Sequence, residues 1–483
     1  MHPPVVDLSL IGVELFLAAL GAVVLVLELA FPRSWRKEIA AVAGAGMLAA
    51  AAPAVATWNR GAAVEFSGAF LADNLAIVFK LVFLLAGALT VLLSIDYFGQ
   101  LRRGFGEYFA LLVFFVLGLC LMASAGDLIV LYIAFELSSI AGYLLASWMI
   151  NNPKSTEAGL KYFIYGAASS ALMLYGLSLL YGFTGTLKLA EIVRAMAVDG
   201  SIALALAAGL VVVGLGYKIA MSPFHWWAPD VYEGAPTPVT AFLSVAPKVA
   251  GFALFLRLLH LVASTSPQAW PGFIAVLSAI TMFTGNVLAI RQANIKRMLA
   301  YSSIAHAGYM LIGVAVATAD PMGIEAVAVY AAAYLFMNLG AFAVATLVES
   351  AAGSSLIACF EGLAQGHPMT AAAMLIFLLS LTGIPPTAGF VGKLILFGAA
   401  IKQPQFAWLA IVGIINSVIS LYYYMNVVRL MYFGRATEAL RLPASGPMVT
   451  AVWVTLVLTL LIGLAPQSIL SVAEASSRIL AGV

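Results

Sequence analysis

The sequence predicts an all-α protein that crosses a membrane many times. Of its 483 residues, 63% are hydrophobic and only 9% are charged, whereas a soluble domain carries about 25% charged residues. The mean hydropathy of +1.06 indicates a surface that faces lipid. Many apolar runs reach the 18 residues or more that a helix needs to cross the hydrocarbon layer. Because these runs are continuous and do not alternate, they exclude a transmembrane β-barrel.

Fourteen apolar runs, separated by polar breaks, are candidate transmembrane helices and are called spans 1 to 14. The division between residues 390 and 431 is the least well defined, so thirteen or fifteen spans are the alternatives. In chain order the spans cover 8–30, 39–57, 73–96, 107–125, 128–150, 157–182, 202–228, 237–260, 271–290, 297–318, 323–349, 370–400, 407–431 and 449–472.

The basic residues predict how the chain is oriented, because cytoplasmic loops of membrane proteins are enriched in lysine and arginine. With both termini outside, twelve lysines and arginines fall in inner loops and five in outer connections. The inner set is Arg33, Arg36, Lys37, Arg102, Arg103, Lys154, Arg291, Lys296, Arg297, Arg429, Arg435 and Arg441, and the outer set is Arg60, Lys188, Arg194, Lys402 and Arg478.

Prolines interrupt two of the spans. Pro223 and Pro229 bracket FHWW in span 7, and Pro385 and Pro386 interrupt span 12 in SLTGIPPTAGFVGK. Proline removes a helical hydrogen bond and clashes with the preceding turn. The breaks lie five spans apart, which predicts that spans 4–8 and 9–13 are two inverted repeats, as in secondary transporters. The alternative is that each break is only a proline kink.

The predicted repeats divide the chain into four segments. Residues 1–100 form a three-helix segment, 101–265 the first repeat, 266–435 the second repeat and 436–483 the last helix. Outside the repeats, we expect Asp73 and Lys80 to be peripheral or interfacial, and Glu14 and Glu28 to contact a neighbouring subunit.

Ionisable residues deep inside the spans are the candidate functional groups. A charge at the centre of a bilayer costs about 2.5–3.5 kcal/mol, and such residues typically face an interior or water-filled path and mark proton routes. Burial disfavours the charged form of a lysine, and a nearby carboxylate favours it. The principal candidates are Glu136 in span 5, Lys218 before the break of span 7, Lys248 in span 8 and Lys393 after the break of span 12.

Three further residues are auxiliary candidates. Lys161 lies about one turn into span 6, where its alternative is to extend toward the membrane surface. His225 lies in the broken part of span 7 and His306 in span 10, and histidine changes charge near neutral pH. Capping a helix end is the alternative for His225, and a structural ion pair is the alternative for Glu136 with Lys218. The predicted proton route runs from Lys218 through water and His225 to Lys248 and then Lys393.

The sequence lacks an energy source for such transport. Cys120 and Cys359 show no CxxC or iron–sulfur spacing, and GFVGK lacks the spacing of a phosphate-binding loop. Moving one charge against the membrane potential costs about 2.3 kcal/mol per 100 mV. The driving energy is therefore expected from partner subunits. The net charge of +2 gives no indication of nucleic-acid binding.

Two motifs resemble the antiporter-like subunits of respiratory complex I. RQANIKRMLAYSSIAHAGYM, residues 291–310, is similar to the family's signature in spans 9 and 10. PFHWWAPDVYEGAPTPVTAFLSVAPKVAGFAL, residues 223–254, is similar to the corresponding segment of the smallest member. The resemblance extends from about residue 70 to residue 435.

The resemblance implies a fourteen-helix proton-translocating subunit of a bacterial NADH:quinone oxidoreductase, with two inverted five-helix repeats. Together with the distribution of lysines and arginines, it predicts both termini on the periplasmic side of the inner membrane. It assigns the relay to Glu136, Lys218, Lys248 and Lys393, and places Lys161 between Glu136 and neighbouring polar residues. It also implies that FMN, iron–sulfur clusters and quinone bind to partner subunits, with none in this chain. The expected partners are other membrane subunits, lipids and internal water.

Two other functions remain open from the sequence. A cation/proton antiporter subunit of the Mrp type shares the fold and most motifs, although the VYEGAPTPVTAF variant argues against it. A purely structural membrane scaffold is the second. An electron-transfer subunit is disfavoured because no paired histidines lie at facing helical positions.

Overall fold

Helices form nearly all of the computed structural model, which describes residues 7–99, 104–198, 202–265, 269–435, 440–443 and 445–477. A two-stranded antiparallel hairpin, β1 (Ala63–Glu65) and β2 (Phe70–Ala72), precedes the third crossing. The helices are α1 (Gly12–Ala30), α2 (Arg36–Ala49), α3 (Ala51–Ala56), α4 (Asn74–Tyr97), α5 (Phe105–Ala123), α6 (Leu128–Ala146), α7 (Pro153–Thr184), α8 (Leu189–Val198), α9 (Ile202–Ile219), α10 (Trp227–Gly234), α11 (Thr237–Thr265), α12 (Ala269–Ala289), α13 (Ile295–Ala317), α14 (Met322–Ala352), α15 (Leu363–Gly366), α16 (Pro368–Thr382), α17 (Ala388–Lys402), α18 (Ala407–Phe433), α19 (Gly446–Leu464) and α20 (Gln467–Ser477).

The number of crossings agrees with the sequence prediction. Within the described residues, thirteen helices are long and apolar enough to cross a membrane. They correspond to every predicted span except span 12. That span consists of α16 and α17, two helices of 15 residues each. Counted as one interrupted crossing, the pair completes the fourteen predicted spans and confirms the all-α membrane fold.

Span 7 is broken just after Lys218, as the sequence predicts, but the break divides the predicted run to residue 228 into two helices. The helix α9 ends at Ile219, not near residue 228, and a non-helical segment precedes α10. Ala220 adopts a left-handed conformation with φ of 57°, which ends the helix. Pro223 follows and lacks the N–H that a continuing helix needs.

Two other predicted boundaries are also wrong. The helix α7 begins at Pro153 because the side chain of Asn152 accepts a hydrogen bond from the Lys154 backbone N–H at 3.0 Å, which caps the helix. Lys161 therefore lies two turns inside α7. The predicted last span, 449–472, is two helices, because α19 ends at Leu464 and α20 begins just after Pro466.

The break in span 12 depends on close backbone contact. Gly383 has φ of +92°, and a Cβ at Gly389 would lie 1.8 Å from the carbonyl oxygen of Ser380. The Gly389 N–H donates instead to the Ser380 hydroxyl at 3.0 Å. Glycine thus permits the start of α17 to cross the end of α16, and a side chain at either position would prevent it.

Polar contacts group the loops into two ends of the helix bundle. At one end, Asp96 accepts hydrogen bonds from Lys37 at 3.2 Å and from Ser445 at 2.6 Å. At the other end, Gln403 donates to Asp320 at 3.2 Å. The first set joins three predicted inner loops, and the second joins two predicted outer loops. These contacts agree with the prediction that successive loops lie at opposite ends of the bundle.

Charged residues outside the proposed repeats form buried ion pairs. Lys80 on α4 and Glu14 on α1 lie 2.7 Å apart with side chains less than 5% exposed. Arg257 on α11 pairs with Asp73 and also donates to the Ala123 carbonyl at 3.0 Å. The prediction that Asp73 and Lys80 are peripheral or interfacial is therefore wrong, and Glu14 pairs with Lys80 of the same chain rather than with a neighbouring subunit. A buried charge needs a close partner, and each of these has one on another helix or loop.

The helix α19 packs directly against the break in span 12. A Cβ at Gly463 would lie 2.1 Å from the carbonyl oxygen of Pro386 and 2.6 Å from the carbonyl carbon of Thr387. Both obstacles are backbone atoms, so only a shift of the helix or of the break could make room. Gly463 therefore sets the position of the break relative to α19.

We expect Gly463→Ala to lower the free energy of unfolding by about 1–3 kcal/mol, the usual cost of overpacking. Gly446→Ala on the same helix is the control, since no atom lies within 4 Å of a Cβ there. Thermal unfolding of the detergent-solubilised protein measures the effect. Equal unfolding temperatures for the two variants would show that the contact is not tight.

Candidate functional site

Lys218 lies at the end of the first half of span 7 and is held by hydroxyl groups of α6. Its Nζ donates to Ser138 Oγ at 2.7 Å and to Ser139 Oγ at 2.9 Å. The same nitrogen lies 4.6 Å from the ring centroid of Phe135. The side chain is fully buried. Hydroxyl oxygens can accept from an ammonium group and can also donate to a neutral amine, so this site accommodates both forms of the lysine.

Glu136 lies in the same turn of α6 but forms no direct ion pair with Lys218 within 4.0 Å in the described structure. Its Oε1 atom is buried and has no hydrogen-bond partner in the described part of the chain. The carboxylate nevertheless interacts electrostatically with Lys218. Glu136 shares a helix face with Ile133 and Ile140, which are more than 50% exposed. It therefore lies between the buried lysine and an apolar outer face.

Lys248 lies at the centre of the bundle on α11. Its Nζ donates to Ser303 Oγ at 2.5 Å, and the ring centroid of Tyr232 lies 5.6 Å away. No part of the side chain is exposed. The hydroxyl of Ser303 belongs to α13, so the hydrogen bond links the first half of the protein to the second.

One face of α13 connects Lys248 with Lys393. Ser303, His306 and Tyr309 follow one another at intervals of three residues and therefore lie along one side of the helix. Ser303 contacts Lys248, as described above, and the Tyr309 ring centroid lies 4.4 Å from Lys393 Nζ. Between them, His306 interacts electrostatically with both lysines.

His306 is the centre of a buried group of phenols. Its Nδ1 lies 2.7 Å from the hydroxyl of Tyr330, and its Nε2 lies 3.4 Å from the hydroxyl of Tyr424. The Tyr424 hydroxyl is also 2.5 Å from Ser302 Oγ. Each hydroxyl can donate or accept, and the histidine can do either through either nitrogen according to its tautomer.

Lys393 uses the carbonyl groups that the break in span 12 leaves free. Its Nζ donates to the carbonyl oxygens of Leu381 at 3.1 Å and Thr382 at 2.8 Å, and to Ser417 Oγ at 3.0 Å. Leu381 and Thr382 are the last residues of α16, where carbonyl groups have no intrahelical partner. The break thus provides the polar site for the amine.

His225 lies in the segment between α9 and α10. The ring is buried and stacks on Trp226 with centroids 4.7 Å apart. Neither ring nitrogen has a hydrogen-bond partner in the described residues. His225 interacts electrostatically with Lys248 but touches neither Lys218 nor Lys248 through a hydrogen bond.

The resemblance places Lys161 between Glu136 and neighbouring polar residues, and in the described structure its ion pairs are with two other acidic residues. Its Nζ pairs with Asp230 at 2.6 Å and with Glu157 at 2.7 Å, and about a third of the side chain is exposed. Asp230 on α10 also pairs with Arg297 on α13 at 2.6 Å. Lys161 therefore belongs to a surface network of charges that holds the second half of span 7 between two helices.

Sequence reasoning missed the hydroxyl groups that surround the lysines. Ser138, Ser303, Tyr330 and Tyr424 are ordinary residues in a helical sequence, and only the packing brings them to an amine or imidazole. A usable signal was present on α11, where Thr237, Thr240, Ser244 and Lys248 recur at helical spacing. No group of three or more histidines, cysteines or acidic residues within the described ranges could hold a metal ion.

Residues 125–420 match a family described as NADH:quinone oxidoreductase/Mrp antiporter, TM. NADH-quinone oxidoreductase subunit N of Moorella thermoacetica is 44% identical over 473 residues, which cover 98% of each chain. A chain of respiratory complex I from Thermus thermophilus with bound aureothin is 33% identical, with a TM-score of 0.81 and coverage of 96% and 100%.

A chain of the Mrp complex from Dietzia is also similar, with a TM-score of 0.87, coverage of 99% of this chain and 98% of that chain, and 22% identity. A likeness at that level of identity shows only that the fold is shared. The relatives of higher identity, together with the family match, confirm the resemblance found in the sequence. The chain belongs to the NADH-quinone oxidoreductase subunit N family.

Proposed function

We propose that this chain translocates protons in the membrane part of a bacterial NADH:quinone oxidoreductase, driven by redox chemistry in other subunits. The observation that carries the proposal is the face of α13 that connects the two central lysines. Lys248 donates to Ser303, and Lys393 lies against Tyr309 two turns further along. His306 lies between them with two phenol hydroxyls near its ring nitrogens.

In the proposed mechanism, a proton on Lys248 is released toward His306 and is then accepted by Lys393. His306 can accept a proton at one ring nitrogen and release one from the other, and Tyr330 and Tyr424 orient the ring for this exchange. The free carbonyls of α16 stabilise the ammonium form of Lys393. Release of that proton leaves a neutral amine that can accept the next one.

Lys218 and Glu136 form the proposed input side of the relay. Since a nearby carboxylate favours the charged form of a lysine, movement of Glu136 relative to Lys218 changes how strongly Lys218 holds its proton. The two serines on α6 hold the amine in place throughout. The step from Lys218 to Lys248 requires water, with His225 as an intermediate acceptor.

Buried polar atoms without protein partners support this requirement for water. They include atoms of Glu136, His225, Tyr334 and Asn338 in the described residues. Buried polar groups that lack a protein partner usually bind an internal water molecule. Glu136 and His225 belong to the proposed relay itself, and Tyr334 and Asn338 lie on α14, which also supplies Tyr330 to His306.

The orientation and the internal organisation are part of the proposal. The distribution of lysines and arginines predicts that the end carrying Asp96 faces the cytoplasm and that the termini face the periplasm. Helices α5–α11 and α12–α18 then form two inverted repeats, each containing one broken span. Other membrane subunits are expected to cover the face of α6 that carries Glu136, and FMN, iron–sulfur clusters and quinone are expected in partner subunits.

The second candidate is a cation/proton antiporter subunit of the Mrp type, which the fold alone allows. The 44% identity to a subunit N favours the first candidate. Co-purification distinguishes them, because a complex I subunit is expected to copurify with flavin and iron–sulfur subunits. Mass spectrometry of the native complex identifies those partners.

We expect Glu136→Gln to lower NADH-driven proton pumping about tenfold or more, as loss of a positioned proton-transfer group typically does. Assembly is expected to be normal, because the carboxylate makes no ion pair that the amide would break. Glu107→Gln on the exposed face of α5 is the matched control. Inverted membrane vesicles report pumping and NADH oxidation together. Native pumping by Glu136→Gln in a fully assembled complex would remove Glu136 from the relay.

We also expect His306→Gln to reduce pumping about tenfold or more, because glutamine can hydrogen-bond to Tyr330 but cannot carry a proton. His367→Gln is the matched control, since His367 contacts the Leu440 carbonyl at 2.8 Å, away from the lysines. The same vesicle assay applies. A fully assembled His306→Gln complex that pumps as fast as the control would show that protons pass from Lys248 to Lys393 without the histidine.

A further inference from the structure

A polar cavity opens at the end of the bundle where α10, α11, α13 and α14 meet. Its volume is about 610 Å³. The walls include the loop after α12 and the loop after α14, and the charged groups Lys154, Glu233, Lys296, Arg297 and Glu349. The end is the one that the charge distribution assigns to the cytoplasm.

The buried Lys296 and the partly exposed Glu349 form an ion pair in this cavity wall. Lys296 is 4% exposed, and its Nζ lies 3.6 Å from Glu349 Oε1. The same nitrogen donates to the Ala235 carbonyl at 2.9 Å. Glu349 in turn accepts a hydrogen bond from the hydroxyl of Thr237. The pair therefore joins the end of α10 to the first residue of α11, the helix that carries Lys248.

A stripe of buried polar residues leads from this pair along α11. Thr237, Thr240, Ser244 and Lys248 are separated by three, four and four residues, which places them on one face of the helix. None of the four is exposed. Lys248 follows Thr237 by eleven residues, a distance of about 16 Å at the rise of an α-helix. A polar face buried over this length is unusual in a helix whose other faces are apolar.

A second polar stripe on α14 faces the first. Asn338 Nδ2 donates to Ser244 Oγ at 2.6 Å, and Glu349 meets Thr237 at the cavity. The two helices are therefore in contact both at the cavity and halfway to Lys248. The members of the second stripe are Tyr334, Asn338, Thr346 and Glu349.

The inner end of the two stripes retains hydrogen-bonding capacity. The Oδ1 atom of Asn338 and the hydroxyl of Tyr334 are buried without a partner in the described residues. The Ser303 hydroxyl, which contacts Lys248, lies 3.5 Å from the carbonyl oxygen of Ser244. Unpartnered polar atoms thus lie between the stripe and the central lysine, where a water-mediated transfer would need them.

We propose that the Lys296–Glu349 pair is the proton-uptake site that loads Lys248 through the facing stripes of α11 and α14. The Glu349 carboxylate accepts a proton from water in the cavity and releases it toward the neutral amine of Lys248, which becomes the ammonium. Lys296 holds the returned carboxylate in place as a positioning residue. This inference rests on the proposed function, since it adds a cytoplasmic source of protons at Lys248 to the transfer from Lys218.

The first test uses Glu349→Gln in the complete complex in inverted vesicles. Pumping is expected to fall about tenfold or more near neutral pH and to recover partly at lower pH, where protons are more abundant. Glu349→Asp is expected to restore it. The matched control is Glu325→Gln at the opposite end of α14, where Glu325 accepts from Ser477 at 2.7 Å.

Three results would overturn the uptake site: native pumping by Glu349→Gln at every pH, an equal loss at every pH, or no rescue by aspartate. The Lys248→Met variant distinguishes failure of the uptake site from failure of the proposed function. If Lys248→Met pumps poorly while Glu349→Gln pumps normally, the result supports the proposed relay and rules out the uptake site. If Lys248→Met also pumps normally, the proposed function fails.

A second measurement applies even if Glu349→Gln does not assemble. Thr346→Cys is introduced after replacing Cys120 and Cys359 by alanine, and inverted vesicles are treated with a membrane-impermeant methanethiosulfonate reagent. Labelling of Thr346→Cys is expected, because water reaches the stripe from the cavity. Thr455→Cys, buried in α19 away from the stripe, is the control and should not react. An unreactive Thr346→Cys variant would contradict the route.

Discussion

The free-energy cost of burying an ammonium group in hydrocarbon determines where polar groups lie in this structure. Each central lysine meets that cost with oxygen atoms that another helix provides: two serines for Lys218, one serine for Lys248, and two carbonyls with a serine for Lys393. No lysine of the three has a carboxylate within ion-pair distance in the described residues. An amine held by neutral oxygens can lose and regain its proton without breaking a strong ion pair, which suits a relay better than a salt bridge does.

The broken helices follow from the same requirement. An intact helix uses its carbonyls internally, so the backbone oxygens most available to a membrane-buried amine are those at a helix end. The end of α16 supplies them to Lys393, and close packing at Gly389 and Gly463 holds that end in place. By contrast, the paired charges Glu14–Lys80 and Asp73–Arg257 lie outside the central line. Direct ion pairs are suited to joining helices. The first pair joins α1 to α4, and the second joins the start of α4 to α11.

The crossings and the positions of the central lysines were predictable, because long apolar runs and isolated charges are properties of the sequence itself. The surroundings of those lysines were not. The resemblance places Lys161 between Glu136 and neighbouring polar residues, yet its Nζ pairs with Asp230 on α10, which comes close only through the packing of span 7. The left-handed Ala220 that ends α9 has no sequence signal, since alanine favours helix. The phenols around His306 come from α14 and α18, which are distant in sequence and meet only through packing.

The most direct test of the account is a cryo-electron microscopy map of the assembled complex that resolves internal water. The account predicts ordered water that joins Lys218 to His225 and His225 to Lys248, and further water that extends the line through His306 to Lys393. A dry apolar gap between Lys218 and Lys248, at a resolution where other internal water is visible, would contradict proton transfer between the two halves of the protein.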